Sequence, residues 1–316
     1  MKWLVFALSM LSGIVLSAQN DIVFSHYIFN PTYYNPAYIE KASVSHAMLQ
    51  FRSQWTGYQA SFDATGGAPL TQAFSTIVPL NSNFSGFGVI ATNDQIGPVN
   101  NVIAGIPLAY TMKSRNANYT VGLMPMLYSQ VLNFNLLRFV NPQDPLNVGT
   151  REVQFKPNMN AGILMSHKSG LSIGVSALNV FEPTFDYGLD SLSSRLARSY
   201  SVISAADVTI GRKLTLVPSV HVRTDLNTFS FDLGALVYIQ EKAWGGLSYR
   251  YGEAITFFAG YSILGDNKLQ IGYALDYVID EQNAKQPTSQ EFFIRYNLPN
   301  LVIGGRKQVK TPRFAY

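Results

Sequence analysis

The sequence predicts an all-β chain: a transmembrane outer-membrane β-barrel of about 14 antiparallel strands with an N-terminal plug-like segment. Three observations predict it. Between Lys268 and Leu298 the side chains alternate with a period of two. Leu269, Ile271, Tyr273, Leu275 and Tyr277 oppose Gln270, Gly272, Ala274 and Asp276, and then Phe292, Ile294, Tyr296 and Leu298 oppose Glu291, Phe293, Arg295 and Asn297. Lipid on one face of a strand and a polar lumen on the other produce this pattern. Next, only 13% of the residues are charged and 47% are hydrophobic, whereas soluble domains carry about 25% charge. No internal apolar run reaches the roughly 20 residues of a spanning helix, so a membrane-embedded chain of this kind must be a closed barrel. Finally, the connections sort by length. Every second one is short (81–83, 114–117, 168–169, 212–213, 240–242, 265–268), and the long ones (56–70, 132–156, 179–198, 280–288) all fall between them. A soluble sandwich, the competing reading of the alternation, has no reason to sort its loops in this way.

Taken in order, residues 1–18 read as an export signal. Lys2 precedes the apolar run from Trp3 to Leu16, and Leu16-Ser17-Ala18 offers a small-residue cleavage site. Cleavage after Ala18 removes Lys2 and lowers the net charge from +4 to +3. The chain has no cysteine, hence neither a disulfide framework nor a lipid-acceptor thiol behind the signal. Residues 19–42 form the plug or cap segment. Its core is F-S-H-Y-I-F-N-P-T-Y-Y-N-P-A-Y, in which Asn30-Pro31 and Asn35-Pro36 are turn signals five residues apart that exclude a regular strand or helix. Phe24, Tyr27, Phe29, Tyr34 and Tyr38 make it too apolar to hang in water. It is expected inside the barrel, with an ordered cap on the periplasmic rim as the other arrangement open to it.

The barrel is assigned to 43–298, with strands near 43–55, 71–80, 84–93, 101–113, 118–130, 157–167, 170–178, 199–212, 214–224, 228–240, 242–251, 254–264, 268–279 and 289–298. An even count places both termini on the short-turn rim, which in such barrels is periplasmic. His221, Arg223, Asp232, Arg250, Asp276, Glu291 and Arg295 fall on inward positions. Both signs are present, and ion pairs across the lumen are the ordinary expectation for charges in a narrow interior. Residues 299–316 form a basic periplasmic tail: Arg306, Lys307, Lys310 and Arg313 stand there without an acidic residue, so the rest of the mature chain carries −1. A tail of four charges suits an acidic periplasmic protein or plain solvation, and no nucleic-acid partner is expected.

Two chemical motifs fail on context. Gly170-Leu171-Ser172-Ile173-Gly174 fits a nucleophile elbow, yet Leu171, Ile173 and Val175 continue a strand, which leaves Ser172 an inward-facing wall residue. Gly86-Phe87-Gly88-Val89-Ile90-Ala91 fits a dinucleotide fingerprint but lies within a strand with no helix behind it; small residues there instead let a plug approach the wall. His26, His46, His167 and His221 show no metal-ligand spacing. No catalytic residue, cofactor or metal is expected.

Phe24 to Tyr38, R-S-Q-W-T-G-Y (Arg52 to Tyr58, with Trp55 and Gly57), G-A-P-L-T-Q-A-F-S (Gly67 to Ser75) and G-F-G-V-I-A-T-N-D-Q-I-G-P (Gly86 to Pro98) follow one another behind the signal. This ordered set resembles the PorP/SprF family of type IX secretion system membrane proteins of the Bacteroidetes. The likeness is dense over 24–98 and architectural beyond it, and the insertion 59–66 is longer than the family pattern. The resemblance implies an integral outer-membrane protein working with type IX secretion and gliding components in the export or surface attachment of large proteins such as adhesins. The long loops carry Phe134, Phe139, Phe181, Phe185 and Tyr187, apolar groups that signal either a partner surface or a fold-down onto the barrel mouth. A transporter for a small hydrophobic solute is the first rival. A hydrolase, tested by Ser172→Ala, is the second.

Overall fold

The computed structural model describes residues 22–58, 67–80, 82–137, 151–187, 194–280 and 286–299. The export signal, the basic tail with Arg306, Lys307, Lys310 and Arg313, the insertion 59–66 and Phe139 lie outside the described residues.

The strands are β1 (His46–Ser53), β2 (Leu70–Pro79), β3 (Phe84–Ile96), β4 (Val99–Gly105), β5 (Leu108–Lys113), β6 (Ala117–Asn133), β7 (Arg151–His167), β8 (Leu171–Leu178), β9 (Thr184–Phe185), β10 (Ser194–Arg195), β11 (Ser199–Ala206), β12 (Val208–Ile210), β13 (Leu214–Thr224), β14 (Phe229–Ile239), β15 (Ala243–Arg250), β16 (Ala254–Ile263), β17 (Leu269–Val278) and β18 (Thr288–Asn297). β9 and β10 pair only with each other. β4 and β5 are two halves of one strand, as are β11 and β12, so fourteen antiparallel strands form the wall. It closes where β1 pairs with β18, from His46 opposite Asn297 to Ser53 opposite Gln290. Closure leaves no unpaired edge in lipid.

Period-two alternation positions the side chains as the sequence predicts. In β1, His46, Met48, Gln50 and Arg52 are buried while Leu49 and Phe51 are exposed. In β17 and β18, Gln270, Ala274, Asp276, Glu291, Phe293 and Arg295 are buried while Tyr273, Tyr277 and Tyr296 are exposed. Solvent-exposed Leu, Ile, Phe and Tyr side chains thus make an apolar outer belt, and the polar residues turn inward.

Two predicted strands are interrupted. The stretch 101–113 breaks at Ile106-Pro107, where proline offers no N–H to the ladder. The wall stays bonded there: Ile106 donates to the Pro125 carbonyl and Gly88 to the Pro107 carbonyl, both at 3.0 Å. The stretch 199–212 breaks at Asp207, whose N–H reaches the Gly170 carbonyl at 3.4 Å. Conversely, β6 and β7 each run for 17 residues, beyond the roughly 9–11 that span a bilayer. Their outer ends pair Asn133 with Arg151 and Leu132 with Glu152, and β7 keeps its alternation there, with Val153 and Phe155 exposed against half-buried Glu152, Gln154 and Lys156.

Residues 22–42 are neither strand nor α-helix. They hold two 3-10 turns, Pro31–Tyr33 and Pro36–Lys41, each opening on a proline whose missing N–H would have no partner in a first turn anyway. Asn35 caps the second by accepting from the Ala37 N–H at 2.9 Å. The segment lies against inward-facing residues of strands around the barrel. Three glycines make a groove for it on neighbouring strands. A Cβ on Gly122 of β6 would come within 2.7 Å of Ala37 Cα, one on Gly162 of β7 within 2.6 Å of Asn35 Cγ, and one on Gly174 of β8 within 2.8 Å of Asn35 Nδ2. On β3, a Cβ at Gly86 would lie 2.9 Å from Ile39 Cγ2.

Candidate functional site

The aromatics of the N-terminal segment and the charges of the wall meet in one place. Phe24, Tyr27, Phe29, Tyr33, Tyr34 and Tyr38 are buried. Phe29 packs between Trp244 (ring centroids 5.4 Å) and Phe293 (4.7 Å). Tyr27 and Tyr34 flank His221 at 4.9 and 4.6 Å. Tyr27 shares a 2.8 Å hydrogen bond with Ser219, and Tyr38 donates to the Ile203 carbonyl at 2.9 Å. Asn35 donates to the carbonyls of Ile163 (3.0 Å) and Val175 (3.3 Å). These contacts tie one short segment to β7, β8, β11, β13, β15 and β18.

Opposite them, β13 to β18 and β1 carry a buried ionic network. Glu291 accepts from the backbone N–H groups of Ser25 (2.7 Å) and His26 (2.9 Å), from Gln50 (2.8 Å) and from Arg52 (3.2 Å), and it pairs with the His26 ring at 2.8 Å. Asp276 takes Arg52 at 2.8 Å, the Ser25 hydroxyl at 2.8 Å and Thr256 at 2.9 Å. Asp232 is held by Arg250 at 2.7 Å and Arg223 at 2.8 Å, and Arg250 continues to Asp276 at 3.7 Å. Buried charges persist only when paired and hydrogen-bonded, and here three arginines meet three buried carboxylates, with Arg250 also reaching the half-buried Glu253 at 3.3 Å. Removing the Ser25–His26 backbone would therefore leave donors and acceptors of this network unanswered.

The sequence-predicted residues separate into groups. Arg52, Arg223, Asp232, Arg250, Asp276 and Glu291 converge in the network, and Arg295 stands apart from it. Trp55 and Gly57 belong to the turn that leaves β1: the Trp55 N–H donates to Ser289 Oγ at 2.9 Å, and Gly57 holds a φ of +89° that other residues rarely adopt. Asn30 donates weakly to Gln50 at 3.4 Å, and Pro31 and Pro36 open the 3-10 turns. Of the loop aromatics, Phe134, Phe185 and Tyr187 are buried and Phe181 is 58% exposed. Phe185 packs on Tyr128 at 5.5 Å and Tyr187 donates to Gln130 at 2.6 Å. Burial, together with the charge of Glu152, pushes the Tyr187 hydroxyl up to about 12. Glu182 beside them is held below the usual carboxylate range by the Arg198 N–H and by Arg195, which pairs with it at 2.7 Å. Ser172 lies in β8 and donates to the Ala205 carbonyl at 3.2 Å. Ser25, His26 and Gln50 are the members of the site that sequence reasoning missed. Gln50 had a signal, since it shares the inward face of β1 with Arg52.

Over residues 16–296 the chain matches the family described as type IX secretion system membrane protein PorP/SprF. That match spans nearly the whole chain. The chain belongs to the PorP/SprF family. No curated protein is similar enough to match. Among solved structures, a Pseudomonas aeruginosa FadL homologue superposes with a TM-score of 0.51 at 12% identity, over 89% of this chain and 95% of that one. The CymD monoaromatic hydrocarbon channel gives 0.49 at 9% over 89% and 93%. The Acinetobacter baumannii outer membrane protein Omp33 gives 0.46 at 6% over 81% and 98%. At such identities the FadL homologue supports the barrel fold alone. The PorP/SprF chain is thus an outer-membrane barrel of a protein secretion system.

Proposed function

We propose that this PorP/SprF protein is a plugged barrel that works as a docking component of the type IX machinery rather than as an open pore. In this reading residues 22–42 are the plug. The observation that carries it is the seating of Ser25 and His26: their backbone N–H groups are spent on Glu291, a buried carboxylate that would lose both donors and the His26 ring if the segment withdrew. The short-turn rim faces the periplasm and contacts secretion components, the basic tail offering charge to an acidic partner. The long-loop rim faces outward and holds a large secreted surface protein such as an adhesin. The apolar belt sits in outer-membrane lipid. Exposed Phe181 and Phe155, the latter on the extended end of β7, supply apolar contact for the secreted partner.

The test is a pull-down of an affinity-tagged copy from gently solubilised outer membranes, with partners identified by mass spectrometry. Co-purification of periplasmic secretion components or of one very large exported protein is expected. A barrel recovered without stoichiometric protein partners refutes the reading. One observation favours a second reading, transport of a small solute: a cavity lined by Tyr33, Ile90, Ile103, Met124 and Met126, with Asn101, Asn160 and Asn179 also in its wall, lies on the plug's long-loop side. That reading predicts an uptake defect for one solute with surface proteins unchanged.

A further inference from the structure

Arg52, Arg223 and Arg250 each meet a carboxylate. Arg295 on β18 does not. It is fully buried, its Nη2 touches His46 Nδ1 at 3.2 Å, and its Nε and Nη1 have no hydrogen-bond partner among the described residues. The polar atoms around it are unspent in the same way. Gln270, its cross-strand neighbour on β17, has a free Oε1, Ser262, which pairs with Gln270 from β16, has a free Oγ, and Trp244 on β15 has a free indole N–H. Trp244 lies flat over Gly260, one inward position from Ser262, where a Cβ would meet the indole ring. These three side chains are also buried, at 8%, 4% and 4% exposure.

Four adjacent strands thus bring a buried cation, two donors (the Trp244 N–H and the Ser262 hydroxyl) and one acceptor (Gln270 Oε1) to one patch of the inner wall, near the short-turn rim. Water could satisfy the hydrogen bonds, but it brings no countercharge to a guanidinium that burial leaves uncompensated. A guanidinium with unspent N–H groups is the side chain best matched to planar or tetrahedral oxygen anions. We infer that Arg295, with the Trp244 N–H and the Ser262 hydroxyl, forms a binding site for a small oxyanion, a carboxylate or phosphate, with Gln270 at its edge. His46 is shared between this site and a small cavity lined also by Phe29, Asn30, Lys41, Asp207 and Val217, which gives the anion its approach.

The test follows the thermal unfolding of the full-length protein in detergent as sodium acetate, inorganic phosphate or sodium chloride is raised at matched ionic strength. Wild-type Tm rises with anion concentration, more for acetate or for phosphate than for chloride, and the better of the two names the oxyanion class. Arg295→Met loses this selective rise. Gln270→Glu places a carboxylate opposite Arg295. It also loses the rise, with a Tm at or above that of the anion-saturated wild type, and it carries the test if Arg295→Met does not fold. Equal Tm responses of wild type and Gln270→Glu to all three salts overturn the inference.

Discussion

Glu291→Gln is the substitution that most directly probes how the N-terminal segment is held. Both carboxylate oxygens are engaged: Oε1 takes the His26 N–H, the His26 ring and Gln50, and Oε2 takes the Ser25 N–H and Arg52. An amide has one oxygen, so whichever way it sits, its NH₂ group faces donors. The charge balance also fails, because Arg52 keeps only Asp276 as a carboxylate partner. The segment itself meets Glu291 through the Ser25 and His26 N–H groups and the His26 ring, and each hydrogen bond to a charged group contributes about 1.5–3 kcal/mol. With one of these donors turned against an NH₂ group and the others weakened, a loss of about 3 kcal/mol, at about 1.4 kcal/mol per tenfold, raises the opening equilibrium of the segment roughly a hundredfold. Hydrogen exchange read by mass spectrometry resolves the effect. Peptides from 22–42 lose protection by about two orders of magnitude, while those from β17 and β18 keep theirs, because the strand ladders do not depend on this side chain. Protection in 22–42 that changes less than roughly threefold, with the barrel intact, refutes the claim that the ionic network latches the segment.

The glycine groove gives an independent check: Gly122→Ala forces a methyl into the backbone at Ala37 and should destabilise the seated segment by about 1–3 kcal/mol, read as faster exchange in 31–42. Asn35→Ala removes the cap of the second 3-10 turn together with two bonds to the wall and should cost about 1–2 kcal/mol in the same assay. Glu182 is depressed below its ordinary value by the Arg198 N–H and Arg195, so its contribution is complete above the unfolded carboxylate pKa and disappears as pH falls through the folded value. Exchange of the β9–β10 ribbon should therefore quicken only on acidification below the usual carboxylate range, and Glu182→Gln should abolish that pH step. Phe181→Asp should leave the barrel folded and deplete the surface partner from the pull-down; undiminished recovery of that partner counts against docking at this loop.

The parts of this molecule that were legible in sequence are those governed by a two-residue repeat. Lipid on one face and a crowded lumen on the other fix every position of a strand, which is why Asp232, Arg250, Asp276 and Glu291 could be assigned inward one by one. The same rule implied Gln50 beside Arg52. The strand breaks were less visible, because Pro107 interrupts a ladder without interrupting the wall. The outer end of β7 keeps the repeat, Val153 and Phe155 exposed against half-buried Glu152, Gln154 and Lys156, but it lies beyond the length a strand needs to span the bilayer, where the expected strand stops. Ser25 and His26 carry no periodic signal at all, since their role rests on backbone N–H groups that every residue possesses. What the sequence does encode there is the pair of Asn-Pro turns. By shortening 30–41 into two tight 3-10 turns, they let a segment of some twenty residues bring its backbone to Glu291 while Asn35 reaches the glycines of β7 and β8 on the other side. The site thus takes its mutually paired charges from strand alternation, and from turn geometry the backbone and hydroxyl donors that complete Glu291 and Asp276.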